Sequence, residues 1–379
     1  MGFIYPSSAT SIFDIRDYEI SPTSDITGAL RRAFRAACLS TVPSRVVIPS
    51  GKFKLREILL QGPCKAPIEF LVQARVKAPA DPRRFRTDGW VVFNYINGFK
   101  LYGGGVFDGR GKRAWTLNDC HKNTNCPKLA ANLRFNFVDN ALVKDITTKD
   151  SKNFHVNVLG CHNFTMDHFT VVAPGQSPNT DGIHIGSSTG IFIQDSNIGT
   201  GDDCISLGDG TKEIHVTGVK CGPGHGISVG SLGRTRNEAP VDGFYVKNCT
   251  FTGTDNGIRI KTWPASFPGI VTNVHFEDIR MNNVSNPVII DQEYCPWNLC
   301  KKGVPSLVKI SNVTIDKIYG TSSNPVAMKI ACSPTVPCQN IQLGEINLTY
   351  NGPQGSAVSA CSNVLPKLTG IQFPHACTA

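Results

Sequence analysis

The feature that most constrains the fold of this chain is an internal repeat in its central part. Seven short segments share one pattern, at residues 153–157, 181–186, 203–208, 225–230, 256–261, 286–291 and 324–329. Their first residues lie 28, 22, 22, 31, 30 and 38 positions apart. Repeats of roughly 20 to 50 residues are typical of solenoids and propellers. A unit of about 22 residues holds two or three short strands, which suits one coil of a β-helix and is too short for a four-stranded propeller blade.

A second repeated strand lies between these segments, at residues 164–167, 191–194, 214–217, 244–247, 274–277 and 310–313. The Leu/Asn consensus of leucine-rich repeats is absent, so a β-helix is favoured. Strand alternation places Ile183 and Ile185 on one face, and the equivalent residues of the next coils are also apolar. We therefore expect this face to point inward. The outward face carries His184, Ser206, Ser228 and Arg259, followed by Gly186, Gly208, Gly230 and Lys261.

The N-terminal region contains one amphipathic helix, which the pattern predicts over residues 24–40. Its apolar residues follow helical spacing: Ile26, Ala29, Leu30, Ala33, Phe34, Ala37 and Cys38. Ser24 is a suitable N-cap residue. Because a solenoid needs its open end covered, we interpret this helix as a short cap. The sequence thus predicts an all-β fold, one β-helix domain over residues 1–379, with the clearest coils at about 140–350.

The formal net charge of +9 favours polyanionic partners, either nucleic acid or an acidic polysaccharide. No Lys/Arg-rich run or aromatic ladder of the nucleic-acid-binding type is present. No apolar run approaches the roughly 18 residues that cross a bilayer. We therefore expect no nucleic-acid partner and no membrane partner. We also expect the protein to be a monomer.

Fourteen cysteines indicate an oxidising compartment, because no Cys/His spacing typical of zinc sites is present. Several lie close in sequence: Cys120/Cys126, Cys204/Cys221, Cys295/Cys300, Cys332/Cys338 and Cys361/Cys377. We expect the disulfides Cys204–Cys221 and Cys332–Cys338, since both close short loops beside strands. Sequons for N-glycosylation occur at Asn163, Asn248, Asn283, Asn312 and Asn347. The sequence therefore favours a secreted protein of the extracellular space or cell wall.

Acidic and basic residues concentrate at one edge of the repeated strand. Asp181 and Asp203 occupy the same repeat position, and His225 occupies it one coil later. Asp202 precedes Asp203, while Arg259 and Lys261 take outward positions of the following coil. Because coils stack about 4.8 Å apart, these six residues form one patch. Repulsion between the carboxylates should raise the pKa of one of them. Any one of them could simply form a turn, but six together indicate a functional site.

The patch has the groups that glycoside hydrolysis requires. One carboxyl group must be protonated and donate to the leaving oxygen, while an ionised one attacks or activates water. Arg259 and Lys261 would bind the carboxylate of an acidic sugar. Three aspartates and one histidine could also bind Ca²⁺ or Mn²⁺. The adjacent cations would repel a metal ion, so we expect neither a metal nor a cofactor.

Four motifs at these positions resemble those of the polygalacturonases, glycoside hydrolase family 28. They are Asn179-Thr180-Asp181, Gly201-Asp202-Asp203, Gly224-His225-Gly226 and Arg259-Ile260-Lys261. Each alone is weak, but all four in order are highly specific. The resemblance extends from about Phe13 to Cys377 and is greatest to plant, pollen-type exopolygalacturonases, notably in residues 62–70, 150–157 and 291–297. The chain departs from the plant pattern at residues 18–24, far from these motifs.

The resemblance implies a right-handed parallel β-helix and hydrolysis of the α-1,4 bonds of pectic polygalacturonan with inversion. It implies Asp202 as the general acid and Asp181 and Asp203 as the groups that activate water. His225 would assist the acid. The galacturonate would be held by Arg259, Lys261 and Tyr294. An inverting enzyme needs acid and base carboxyls about 6.5–9.5 Å apart, which stacking on adjacent coils can supply.

Three alternatives remain at this point. Endo-action instead of exo-action depends on the loops at residues 120–126, 234–240 and 263–269. A non-catalytic pectin-binding wall protein would need only the cations, and the intact aspartates argue against it. A pectate lyase would use Ca²⁺ and an arginine base, and would release unsaturated products that absorb ultraviolet light.

Overall fold

The chain folds into a right-handed parallel β-helix. In this computed structural model, residues 10–20, 24–119, 122–123, 126 and 129–376 are described. Their strands pair in parallel with the equivalent strands of the next coil and form one continuous network of 31 strands. Three sheets run along the helix axis, and we number them in the order in which the central coils visit them.

Sheet 1 contains Ile58–Gln61, the first halves of Gly89–Tyr102 and Ala131–Lys144, then Val156–Leu159, Ile183–Gly186, Ile205–Leu207, Ile227–Leu232, Asn256–Thr262, Asn286–Asp291, Val326–Ala331 and Val358–Ser362. Sheet 2 contains Ser11–Asp14, Ser44–Ile48, Ile68–Val72, the second halves of Gly89–Tyr102 and Ala131–Lys144, then His162–Asp167, Thr189–Gln194, Lys212–Thr217, the first halves of Val241–Thr252, Gly269–Val284 and Val308–Ser322, then Gln339–Leu343 and Lys367–Leu368. Sheet 3 contains Lys52–Lys54, Arg75–Lys77, Val106–Asp108, Thr147–Lys149, Thr170–Val172, Asn197–Gly199, Lys220–Cys221, the second halves of Val241–Thr252, Gly269–Val284 and Val308–Ser322, then Ile346–Tyr350 and Gln372–Phe373.

The core lies inside the coils, as the alternation predicts. Ile183 pairs with Ile205, Ile205 with Ile227, and Ile227 with Ile258, so these side chains form one buried column. Burial of such aliphatic side chains stabilises the fold by about 1.5–3 kcal/mol each. The residues between them point outward from sheet 1, where the candidate site lies.

The predicted repeat register is confirmed for the five central segments but is wrong at both ends. Val156, not His155, pairs with Ile183, so the paired strand lies one residue later than the alignment of Asn153 with Asp181 predicts. Met328, not Val326, pairs with Val288. The dipeptides Asn286-Pro287 and Asn324-Pro325, which the alignment matched, therefore lie at different distances from the paired strand residues. In the second repeat, Val274 pairs with Val313, three residues beyond the predicted Ile310.

Helix α1 spans Thr27–Leu39, within the predicted range, and packs on Ser11–Asp14, Ser44–Ile48 and Ile58–Gln61. The prediction of Ser24 as N-cap is wrong, because Ile26 occupies that position without a side-chain cap. The Ser24 carbonyl instead accepts the Lys54 N–H (2.8 Å), which holds the chain beside a strand. Asp25 accepts the backbone N–H of Thr27 at 2.9 Å. Within the described ranges, the other helices are α2 (Lys112–Leu117) and the 3₁₀ turns Ile15–Asp17, Pro82–Arg84 and Pro296–Asn298.

Disulfides fix several turns of the coil. The predicted pairs Cys204–Cys221 and Cys332–Cys338 are confirmed. The close pair Cys295/Cys300 is also bonded, while Cys38–Cys64, 26 residues apart, ties α1 to the second coil and was not predicted. Cys161 and Cys249 are free and buried. Cys120 and Cys377 lie outside the described residues.

Candidate active site

The predicted site residues converge at the edge of sheet 1 where each coil enters from sheet 3. Asp181, Asp203 and His225 each lie two residues before a paired isoleucine, so they stack in three successive coils. The Gly182 N–H donates to the Asp203 carbonyl at 2.8 Å, and the His225 N–H donates to the Asp202 carbonyl at 2.7 Å. These bonds set the spacing of the stack. It lines a cleft of about 760 Å³.

Glycines follow Asp181 and His225 because neighbouring coils approach closely there. A Cβ on Gly182 would collide with the Cys204 carbonyl of the next coil. Gly226 has a φ of +87°, and its Cβ would collide with the Asn256 carbonyl. Lack of space favours glycine at both positions, and the left-handed backbone favours it further at Gly226.

Asp203 lies at the centre of a buried ionic cluster. Its Oδ1 accepts bonds from Ser228 Oγ at 2.9 Å and Arg259 Nη2 at 2.6 Å, and its Oδ2 accepts one from Lys261 Nζ at 2.8 Å. The Asp203 side chain is only 2% exposed and that of Lys261 only 8%. Burial works to raise the pKa of Asp203, but the charges of Lys261 and Arg259 outweigh it and lower that pKa to about 2. Asp203 is therefore an ionised carboxylate.

Asp181 has the opposite environment. Its Oδ2 accepts a bond from Ser206 Oγ at 2.8 Å, and Ser206 in turn contacts His184 Nδ1 at 2.8 Å. Burial, then the negative charges of Asp202 and Asp203, raise the pKa of Asp181 well above its usual value. The expected elevation of one carboxyl pKa is thus found, and it falls on Asp181.

His225 lies between two carboxylates. Its Nδ1 is 2.9 Å from Asp202 Oδ1, and its Nε2 is 3.3 Å from Asp255 Oδ2. Burial opposes the imidazolium, but the hydrogen bond to Asp202 and the charges of Asp202 and Asp203 outweigh it and raise the pKa of His225. Asp202 Oδ1 also accepts the Asp203 N–H at 2.8 Å. Two donors therefore fix one oxygen of Asp202.

Aromatic rings form the wall of the cleft beside the cations. The Tyr294 ring centroid lies 5.4 Å from Lys261 Nζ and 6.0 Å from Arg259 Cζ. Trp263 meets Tyr294 edge to face at 5.5 Å, and the Arg234 guanidinium lies 5.2 Å from the Trp263 ring. All seven predicted site residues therefore line one cleft.

The donor set disfavours a metal ion. One ligand atom each from Asp202, Asp203 and His225 lies within 4.8 Å of the others, close enough for shared coordination. Both oxygens of Asp203 are already bound by Lys261 or Arg259. A cation placed there would be repelled by both, so the cluster suits carboxylate chemistry better.

Sequence reasoning missed several residues of the site. The strand pattern placed Ser206 and Ser228 on the outward face. It did not predict that each serine donates a hydrogen bond to an aspartate of the preceding coil. Asp255 was missed entirely, although it precedes Asn256 as Asp202 precedes Asp203. The same alignment of repeats would have shown it. His184, against which Phe154 packs at 4.8 Å, was seen as outward but not as part of the site.

Comparison with known proteins decides the family. A family model described as glycosyl hydrolases family 28 matches residues 38–373. The chain belongs to glycosyl hydrolases family 28. It is therefore a glycoside hydrolase, and the cleft described above is the candidate active site of a family 28 enzyme.

Curated relatives match this family 28 chain over nearly its full length. A polygalacturonase of Nicotiana tabacum is 52% identical over 375 residues, which are 99% of this chain and 94% of the relative. An exopolygalacturonase of Platanus acerifolia is 52% identical over 97% of this chain and 98% of the relative. An exopolygalacturonase of Oenothera organensis is 52% identical over 93% and 98%.

Solved structures share the fold. The endo-xylogalacturonan hydrolase of Aspergillus tubingensis aligns with a TM-score of 0.80 at 21% identity, over 95% of this chain and 100% of that one. A polygalacturonase from Erwinia carotovora aligns with a TM-score of 0.74 at 22% identity, over 97% and 99%. At such identities the likeness shows the β-helix alone.

Proposed function

We propose that this family 28 enzyme hydrolyses the α-1,4-galacturonosyl bonds of pectic polygalacturonan, with inversion, from the chain end. The observation that carries the proposal is the meeting of three aspartates, of which Asp203 is ionised, with two buried cations in one cleft. Glycoside hydrolysis needs one carboxyl group as acid and an ionised one as base, and the cations suit an acidic sugar. The names of the plant relatives, polygalacturonase and exopolygalacturonase, support the substrate.

Asp202 is the proposed general acid. Its Oδ1 is held by the Asp203 N–H and by His225, while its Oδ2 makes no hydrogen bond with a described residue. This leaves Oδ2 to carry a proton to the leaving oxygen. After that transfer, the His225 imidazolium stabilises the new carboxylate and supplies a proton for the next cycle.

Asp203 is the proposed base, assisted by Asp181. In the resting site, Arg259 and Lys261 bind Asp203 so well that it is a weak base. A galacturonate carboxylate entering beside Tyr294 competes for the same two cations. When Arg259 and Lys261 bind the substrate carboxylate, their contacts with Asp203 weaken. The pKa of Asp203 then rises, and Asp203 becomes a stronger base. Asp181, whose neutral form its neighbours favour, assists by accepting a hydrogen bond from the attacking water. The proton that Asp203 takes from water leaves to solvent after the product does, and solvent also reprotonates His225.

Exo-action is supported by the two relatives named exopolygalacturonase. Of the loops expected to decide it, Arg234 and Trp263 line the cleft beside Tyr294. Cys120, at the start of the third loop, lies outside the described residues. The endo-enzyme is the alternative within the same mechanism.

The deciding experiment is a time course on de-esterified polygalacturonan that follows viscosity, reducing ends and product size together. Release of monogalacturonate with slowly falling viscosity, and NMR detection of the inverted anomer first, are the expected results. A rapid viscosity drop with mixed oligomers would show an endo-enzyme. Polymer binding without new reducing ends would overturn hydrolysis, and unsaturated products that absorb ultraviolet light would indicate a lyase.

We further propose a secreted, monomeric protein of the extracellular space or cell wall, acting as a single domain. The confirmed disulfides fit an oxidising compartment, and all five sequon asparagines are exposed. Among the residues described, no helix has the length and apolar character to cross a bilayer. Mass spectrometry with and without glycosidase, and light scattering for the oligomeric state, test these points.

A further inference from the structure

A second cavity, of about 1100 Å³, lies near the N-terminal end of the β-helix. Its basic residues are all arginines: Arg31, Arg56, Arg83, Arg84, Arg86 and Arg134. We call this cavity the arginine groove. Guanidinium groups form planar, two-pronged hydrogen bonds that match carboxylates, and a concave surface with an excess of one charge sign concentrates its field.

The acidic residues of the arginine groove already bind other residues of the groove. Glu57 accepts the backbone N–H groups of Arg86 and Thr87, both at 2.8 Å. Asp81 pairs with Arg83 at 2.8 Å, and Asp88 pairs with Arg134. These bonds hold the loop at residues 81–88 in place and form the structure of the groove.

Arg56 pairs with Asp25 at 2.9 Å, which leaves three of the six arginines. Arg31, Arg84 and Arg86 are exposed, line the groove and make no ion pair with any residue that the structure describes. Arg86 is presented from backbone that Glu57 fixes, and Arg31 from the rigid helix α1. Three exposed guanidinium groups on fixed backbone, none of them in an ion pair with a described residue, are arranged to receive an external polyanion.

The groove opens on the same face as the active site. Arg134 lines the groove and pairs along sheet 1 with Asn157 of the next coil. Asn157 in turn pairs with His184 of the coil after that. The strand spacing makes this separation about 10 Å. His184 bonds to Ser206, which holds Asp181. A polymer cleaved at the aspartates is therefore within reach of the groove.

We propose that the arginine groove is an anchoring site for carboxylated polysaccharide, separate from the cleavage cleft, which retains long galacturonan near the active site. The chemical identity of the ligand rests on the proposed function. The site predicts a length effect: long polymers occupy groove and cleft together, and multivalency raises their affinity, while oligomers of two or three sugars occupy only the cleft.

The test compares two triple variants that remove the same charge. In the groove variant, R31Q, R84Q and R86Q are combined. In the control, R35Q, K220Q and K309Q remove exposed cations elsewhere, including one on α1 beside Arg31. Binding to long polygalacturonate, to the fully methyl-esterified polymer and to digalacturonate is measured by affinity electrophoresis and calorimetry, and KM is measured for the long polymer and for trigalacturonate.

The groove variant is expected to bind long polygalacturonate about tenfold more weakly, given the modest strength of each exposed charge contact. Its KM for the polymer should rise similarly, with kcat and the KM for trigalacturonate unchanged, and with the control like wild type. Unchanged polymer binding, equal loss in the control, or equal loss for trigalacturonate would each overturn the anchoring site. If wild type hydrolyses nothing, the proposed function fails, but the binding comparison still decides whether the groove retains a carboxylated polymer.

Discussion

Asp181 and Asp203 occupy the same repeat position in neighbouring coils, and both are buried. Each accepts a hydrogen bond from a serine of the following coil, Ser206 for Asp181 and Ser228 for Asp203. Their protonation nevertheless differs, because two cations reach Asp203 while Asp181 faces two carboxylates. The repeat thus determines where a carboxyl group lies, and the outward residues of later coils determine its charge.

The largest expected effect, on both stability and activity, follows from removing the charge of the ionised aspartate, Asp203. Asp203→Asn leaves Lys261 and Arg259 buried without their carboxylate, which is expected to lower the free energy of unfolding by about 3–5 kcal/mol. Hydrolysis is lost as well. Urea unfolding and a reducing-sugar assay measure both. The control is Asp255→Asn, whose side chain is 71% exposed and is expected to change stability by less than about 0.5 kcal/mol. A stable Asp203→Asn protein would contradict the ionic cluster.

The second prediction tests where the catalytic proton lies. Asp202→Asn is expected to lower kcat by about 10²–10⁴ with the fold retained, because the amide cannot donate a proton as an acid. Steady-state kinetics and circular dichroism are the measurements. If Asp202→Asn were nearly as active as wild type while Asp181→Asn was inactive, the acid role would pass to Asp181.

The two aspartates should also affect stability with opposite pH dependence. The raised pKa of Asp181 stabilises the fold fully below about pH 3.8, its unfolded value, and this contribution is lost as pH rises towards its folded pKa. The lowered pKa of Asp203 contributes stability above about pH 3.8 that is lost as pH falls towards 2. The Tm of Asp181→Asn relative to wild type should therefore increase between about pH 4 and 6.

Thermal melts across that range check the sign, with the exposed Asp17→Asn as control. A Tm difference for Asp181→Asn that shrinks with rising pH would contradict the protonated state of Asp181.

The smallest expected effect separates the two serines. Ser228→Ala removes a bond to an ionised carboxylate and should cost about 1.5–3 kcal/mol, while Ser206→Ala removes one to a neutral carboxyl group and should cost about 0.5–1.5 kcal/mol. Both hydroxyls are buried, and each has a second partner, Arg259 Nε for Ser228 and His184 Nδ1 for Ser206. Equal costs from urea unfolding would mean that the two aspartates do not differ in charge.

The fold and the membership of the site were accessible from sequence because both follow from one periodicity. Apolar residues at alternate positions set the inward face, and the gap-free alignment of five central segments brought Asp181, Asp203 and His225 together. The alignment failed for residues 153–157 and 324–329, where turn length changes. Turn length depends on local backbone conformations that side-chain patterns do not encode.

The charge states of the site were only partly accessible. Repulsion predicted that some carboxyl pKa would rise, but choosing Asp181 requires knowing that Arg259 and Lys261 reach back two coils to Asp203. That reach depends on side-chain conformations on a curved surface. The Ser24 cap failed for a related reason, since pairing with Lys54 competes for the backbone of the same residue.

Because hydrogen bonds between coils fix the rise of the stack, the distance between groups in this cleft can take only a few values. A functional side chain can be placed one coil away, about 4.8 Å, or two residues along a strand, about 6.6 Å, but not at distances in between. New specificity in such a scaffold is therefore expected to come from the loops that rise above the sheet, while the spacing of the reacting carboxyl groups stays constant.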